Sequence, residues 1–212
     1  MCINAIDAGY ATKLSWGDRM NVTINNNVYK FEEEMTVLAA CRAVGIEIPT
    51  LCQDDVTGNH GRCRLCVVEV NGKLQLACET SISDGMLVNT NSELIQEARK
   101  LVLSLLIKEH NFDCPVCDKS GRCAFQEVAT QYDVQTSDNF VCDQPSEYVE
   151  FSDTLLYDES KCIICGKCIK RISSYNVPNP AAFIRHNLSP NKPYKASDIV
   201  EICPTAALRE KK

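Results

Sequence analysis

Basic residues are too few to give this chain a positive surface. There are 22 Lys and Arg against 28 Asp and Glu, a net charge of -6 and a pI near 5.2. Neutralising nucleic-acid phosphates needs the opposite balance, so a nucleic-acid binder is not expected. Long apolar runs are also missing. The longest, "LVLSLLI" at 101–107, has seven residues, far short of a membrane span. The N-terminus lacks a basic segment followed by an apolar one, so no export signal is read and a cytoplasmic, reducing location is expected. "GNHG" at 58–61 fits no phosphate-binding loop, and no acid–base dyad or Ser/His/Asp arrangement is legible. Aromatic residues are sparse, at one Trp, seven Tyr and six Phe. Cysteine is what the chain has in excess: 14 in 212 residues. In a reducing compartment, clustered thiols point to metal ligands rather than disulfides. Metal must then help hold the fold, because the apolar core is smaller than the 45% hydrophobic content suggests.

The pattern along the chain predicts an α+β protein. Residues 1–18 have no period and read as an arm. Two short strands flank the Asn-rich turn at 25–27. A helix capped by Thr36 follows, ending at Gly45, with Cys41 on its core face. "VLAAC" at 37–41 looks like a lipoprotein cleavage box, but the acidic "FEEEM" before it argues against one. Asn71-Gly72 centres a hairpin over 67–80, and 85–90 reads as a further strand. Ser92 caps a long helix to about His110, with Leu94, Ile95, Ala98, Leu101, Val102, Leu105 and Leu106 as its expected apolar stripe. Residues 111–135 lean helical, and 135–150 read as a linker entering a strand. Four prolines make 176–194 an irregular excursion. Glu32, Glu33 and Glu34 read as a solvated face, as do Lys170 and Arg171.

Three ligand sets follow from the spacing. Cys52, Cys63, Cys66 and Cys78 suit a [2Fe–2S] centre, with Gly58 and Gly61 allowing close backbone approach; one zinc ion is the alternative. His110, Cys114, Cys117 and Cys123 suit a [4Fe–4S] cluster with one imidazole ligand, and equally a structural zinc. Cys162, Cys165 and Cys168 are too crowded for one tetrahedral zinc and suit the separate corners of a cubane. The fourth ligand of a two-cluster ferredoxin run would fall at Ile172, so Cys203, followed by Pro204, is expected to close a single [4Fe–4S]. Cys2, Cys41 and Cys142 are left over. His60 and His186 read as ordinary surface histidines.

The combination of Cys52-x10-Cys63-x2-Cys66-x11-Cys78, "H-x3-C-x2-C-x5-C" from His110, and "C-x2-C-x2-C…CP" from Cys162 resembles one known module. It is the N-terminal iron–sulfur module of the large peripheral subunit of respiratory complex I. The same module occurs as a free-standing diaphorase subunit of NAD-reducing hydrogenases, in iron-only hydrogenases and in some NAD-linked formate dehydrogenases. "IPTLC" and "DCPVCDKSGRC" are especially close to it. The resemblance covers about residues 20–210. It implies a β-grasp [2Fe–2S] domain at 19–91, a histidine-ligated [4Fe–4S] domain at 92–146 and a ferredoxin-like [4Fe–4S] domain at 147–212. It further implies docking to an NADH- and FMN-binding flavoprotein and electron delivery to a downstream catalytic subunit. The end at Lys212 and the single cubane after the histidine site favour the free-standing form. The rival expectation, from another class, is a zinc-stapled interaction protein.

Overall fold

The computed structural model describes residues 19–134, 145–174 and 195–211. The expected arm at 1–18, the excursion at 176–194, Cys2, Cys142 and His186 lie outside the described residues.

Strands β1 (Met20–Ile24) and β2 (Asn27–Phe31) form an antiparallel hairpin. Asn25 and Asn26 turn it at φ 47° and 69°, a region Asn tolerates better than most residues. Helix α1 (Val37–Ala43) starts where the Thr36 hydroxyl accepts the Ala39 N–H at 3.2 Å. β3 (Val67–Val70) and β4 (Lys73–Leu76) meet at Asn71-Gly72, both left-handed as a tight hairpin requires. β5 (Leu87–Asn89) inserts between β1 and β3, giving the order β2-β1-β5-β3-β4. Only the β1–β5 pair is parallel in this sheet. A parallel pair needs a long crossover, and here it contains α1 and the first cysteine loop. Val37, Leu38, Ala40 and Cys41 of α1 pack on Val22, Ile24, Val68 and Val88 of the sheet. Cys41 is fully buried, and burial lifts its thiol to about 11, so it is an inert core residue as expected.

Helix α2 (Glu93–Lys108) begins at Ser92, whose hydroxyl accepts the Ile95 N–H. Its buried row overlaps the expected stripe in part: Ile95 is buried, and Val102 and Leu106 pack half-buried against the core. Ile95, Arg99, Leu103 and Ile107 point inward at strict four-residue spacing. Leu94, Leu101 and Leu105 are 49%, 63% and 54% exposed. An apolar count misplaces part of the face because it treats Arg99 as a surface residue. Ile95→Val should therefore cost about 1 kcal/mol, and Leu101→Ala less than about 0.5, in chemical unfolding of the loaded chain.

Helix α3 (Ala124–Gln131) turns Phe125 and Ala129 into a core shared with Leu103, Ile107, Leu51 and Leu65. A second sheet, which was not expected beyond one strand near 150, has the antiparallel order β6 (Val149–Glu150), β7 (Leu155–Tyr157), β8 (Leu208–Glu210). Helices α4 (Lys167–Ser173) and α5 (Ala196–Ile202) pack beside it over Phe151, Leu155, Ile172 and Ile199.

Candidate metal centres

Each candidate ligand set sits on a loop pinned by regular structure. In the first, Cys52, Cys63, Cys66 and Cys78 are all buried. Cys66 immediately precedes β3 and Cys78 follows β4. The Ala77 N–H bonds the Cys66 carbonyl at 2.9 Å, tying the two strand ends together. Left-handed Gly58, Gly61 and Arg64 curl the intervening loop. The curl aims its amides at sulfur. Cys52 Sγ accepts the Cys63 thiol and the N–H groups of Cys63, Arg62 and His60, which together outweigh burial and hold its pKa below the usual thiol range. Cys63 Sγ accepts the N–H groups of Leu51, at 3.4 Å, and Leu65. Cys78 meets the Cys66 thiol and feels the charge of Cys52, so the four sulfurs form one group.

The second set is built at the start of α3. Cys114 opens a one-turn 3-10 helix, Cys114–Val116, with Pro115 at its first turn. Cys123 caps α3, its sulfur accepting the Gln126 N–H at 3.5 Å. Cys114 feels the charges of Cys117 and Cys123. His110, just beyond the end of α2, is 6% exposed and packs edge-on against Phe112 and Phe125 at 4.9 and 5.1 Å. Burial, helped by the Lys161 charge, pushes the imidazole down to about 4, so it is neutral at pH 7. The ring bonds the Lys161 backbone, while buried Nδ1 has no partner.

In the third set, left-handed Ile164 and Gly166 wind the loop around Cys162 and Cys165, and Cys168 lies in the first turn of α4. Cys203 caps the end of α5. Cys162, Cys165 and Cys203 each act electrostatically on Cys168, so all four come together. Cys162 Sγ accepts the Tyr157 hydroxyl and the Ile164 N–H. Burial pushes the Cys165 thiol up to about 12.

His60 and Arg171, read from the sequence as surface residues, join these sets, together with partners on which the sequence was silent. The His60 ring lies between the Thr57 hydroxyl, at 2.9 Å, and the Cys165 carbonyl, at 3.4 Å. Arg171, expected to be solvated, pairs with buried Asp54 in the first loop. Lys161 and Asp113 pair at 2.8 Å, each preceding the first cysteine of its set. Phe125 donates its N–H to the Pro204 carbonyl at 3.3 Å, and Cys123 Sγ lies 3.5 Å from the same oxygen. Lys119 reaches from the second loop to the carbonyls of Val200, Glu201 and Cys203, a cation at the negative end of α5. These partners are remote in sequence, so no local pattern signals them. Lys119→Met should cost about 2 kcal/mol, read as earlier thermal bleaching of the loaded chain.

The donors fit iron–sulfur groups on two counts. Inward N–H groups around Cys52 and Cys63 suit anionic sulfur, and the unpartnered Nδ1 of neutral His110 suits a metal. Four donors in each candidate set match the four ligands that an iron–sulfur core takes.

Comparison with known proteins agrees with this chemistry. Residues 17–93 match the family described as a 2Fe-2S iron-sulfur cluster binding domain. Residues 99–138 match the NADH-ubiquinone oxidoreductase-G iron-sulfur binding region. The chain belongs to the family of iron–sulfur electron-transfer subunits found in NAD-linked hydrogenases and complex I-like enzymes. A close counterpart is the gamma subunit of the NAD-reducing hydrogenase HoxS of Cupriavidus necator. It is 30% identical over 208 residues, covering 91% of this chain and 88% of that subunit. A crystal structure of an NAD+-reducing [NiFe]-hydrogenase in the H2-reduced state contains a chain that matches with TM-score 0.77 at 30% identity, covering 91% and 87% of the two chains. An NADH-quinone oxidoreductase subunit of Rhizobium meliloti is 37% identical over 71% of this chain. The chain spans only 18% of that relative, and 36% of the NADP-reducing hydrogenase subunit HndD of Solidesulfovibrio fructosivorans. Among the described residues, no helix is long and apolar enough to cross a membrane.

Proposed function

We propose that the chain relays single electrons between an NAD(H)-oxidising, FMN-binding flavoprotein and the catalytic subunit of a multi-subunit oxidoreductase in the cytoplasm. Cys52, Cys63, Cys66 and Cys78 would hold a [2Fe–2S] cluster in a β-grasp domain at 19–91. His110, Cys114, Cys117 and Cys123 would hold a [4Fe–4S] cluster in a domain at 92–146. Cys162, Cys165, Cys168 and Cys203 would hold another in a ferredoxin-like domain at 147–212. When bound, such clusters supply one-electron carriers, whereas nicotinamide works as a two-electron donor.

The residues around them set spacing and charge. Neutral His110 replaces a thiolate and removes one negative charge, which favours reduction at that position. The observation that carries the reading is the double contact of the third set: His60 meets the Cys165 carbonyl, and Cys123 meets Pro204 beside Cys203. Those contacts favour the order first set, third set, second set.

The test is purification of the native assembly without air. About ten irons per chain, acid-labile sulfide and a co-eluting flavoprotein are expected. A colourless chain with about three zinc ions and no sulfide would instead support the zinc-stapled scaffold.

A further inference from the structure

Helix α2 carries a charge that neither its packing nor the relay accounts for. Arg99 is 3% exposed. Its guanidinium donates to the carbonyls of Leu65, at 3.2 Å, and Val67, at 2.8 Å, and to the Tyr132 hydroxyl at 2.9 Å. The Tyr132 ring lies 5.9 Å from it. Among the described residues, no carboxylate forms an ion pair with Arg99. Burying a cation away from any anion is expensive, so a nearby negative group that is not a side-chain carboxylate is the natural counterpart.

The bonds of Arg99 point to that group. Its two carbonyl partners flank Cys66. Leu65 is the joint between cation and sulfur: its carbonyl holds Arg99, and its N–H bonds Cys63 Sγ. In a trans peptide, the N–H points opposite to the carbonyl. Pinning the Leu65 carbonyl against α2 therefore turns the Cys66 N–H away from α2.

We propose that Arg99 is a positioning residue for the first centre, holding the 63–67 loop in ligating shape and making that centre easier to reduce. This rests on the assignment of a [2Fe–2S] cluster to Cys52, Cys63, Cys66 and Cys78. A binuclear core with four thiolates is negative and gains one more negative charge on reduction. A fixed cation stabilises the reduced form more than the oxidised one. A unit charge within about 10 Å, at an effective dielectric near about 20, changes the reduction equilibrium roughly tenfold. For a one-electron couple that is about 59 mV.

The experiment is a redox titration of the iron-loaded full chain, followed by the electron paramagnetic resonance signal of the reduced binuclear centre. Wild type, Arg99→Lys and Arg99→Gln are compared. Arg99→Gln should lower the reduction constant of the first centre about tenfold, with Arg99→Lys in between and both cubane signals titrating as in wild type. A merely structural arginine would lower thermal stability and leave this constant alone; equal constants in all three chains overturn the proposal, and so does an equal shift of every centre. If Arg99→Gln does not load, Arg99→Lys decides. The ammonium cannot hold both carbonyls in the guanidinium's fork, so its first centre must still titrate below wild type. Wild-type chain lacking labile sulfide and a binuclear signal overturns the cluster assignment and this role together. Wild type with the signal and unshifted variants overturns the role of Arg99 alone.

Discussion

Cys203→Ala is expected to lower the iron content from about ten to about six per chain and to unfold the part of the protein built on β7, β8 and α5. Cys203 is the remote member of its set, brought to Cys162, Cys165 and Cys168 only by folding. It is also a core residue, packed with Leu155, Ile172 and Ile199. Its carbonyl holds Lys119 from the second loop. The substitution therefore removes a proposed cluster corner and a buried sulfur, and only through local unfolding does it disturb the backbone carbonyl that holds Lys119. The small core there leaves little apolar burial to compensate, so metal binding and folding are one event. The checks are iron analysis and hydrogen exchange across 155–173 and 196–210. Retention of all the iron with native exchange rates would exclude Cys203 as a ligand. Cys41→Ala is the control: Cys41 lies in the sheet core, so iron content should stay constant.

Asp54→Ala should cost about 3–5 kcal/mol in local stability, because it removes one half of a buried ion pair. The Asp54 and Arg171 side chains are 4% and 13% exposed. Burial opposes the charge on Asp54, yet the Arg171 guanidinium and two Thr57 hydrogen bonds hold its pKa near about 2. It is thus ionised at pH 7 and fully paired. Its loss frees the 52–66 loop from α4 and opens the contact between His60 and the Cys165 carbonyl. Faster hydrogen exchange at 54–66 and 162–171 is expected, with weaker magnetic coupling between the first and third centres. Asp54→Asn keeps the shape and some hydrogen bonds, so its effect should be smaller. Equal, unchanged exchange in both variants would show that this pair does not hold the units together.

Much of the local structure was legible in the chain. Thr36 and Ser92 cap the helices they were expected to cap, and Asn71-Gly72 turns the expected hairpin. These features depend on neighbours within a few residues, so composition and spacing encode them directly. Cysteine spacing works the same way, because a two-residue gap limits where two sulfurs can go. The inward face of α2 was misread in part, at Leu94, Leu101 and Leu105, because Arg99 has an apolar neighbour's position and a charged residue's chemistry. Its acceptors, Leu65 and Val67, are more than thirty residues away. The second sheet was missed because β6, β7 and β8 span two or three residues each and exist by pairing rather than propensity.

Candidate donor types, the closely spaced cysteines and the caps of the first helices were set by residue identity at short range, whereas remote Cys203 reaches its partners only through folding. Contacts among the sets depend on folding too. The Asp54–Arg171 pair, the His60 bridge, the Lys119 clamp and the Arg99 fork each join segments far apart in the chain. A polar or charged side chain is exposed by default, and it becomes internal only when folding brings a partner that offsets its desolvation.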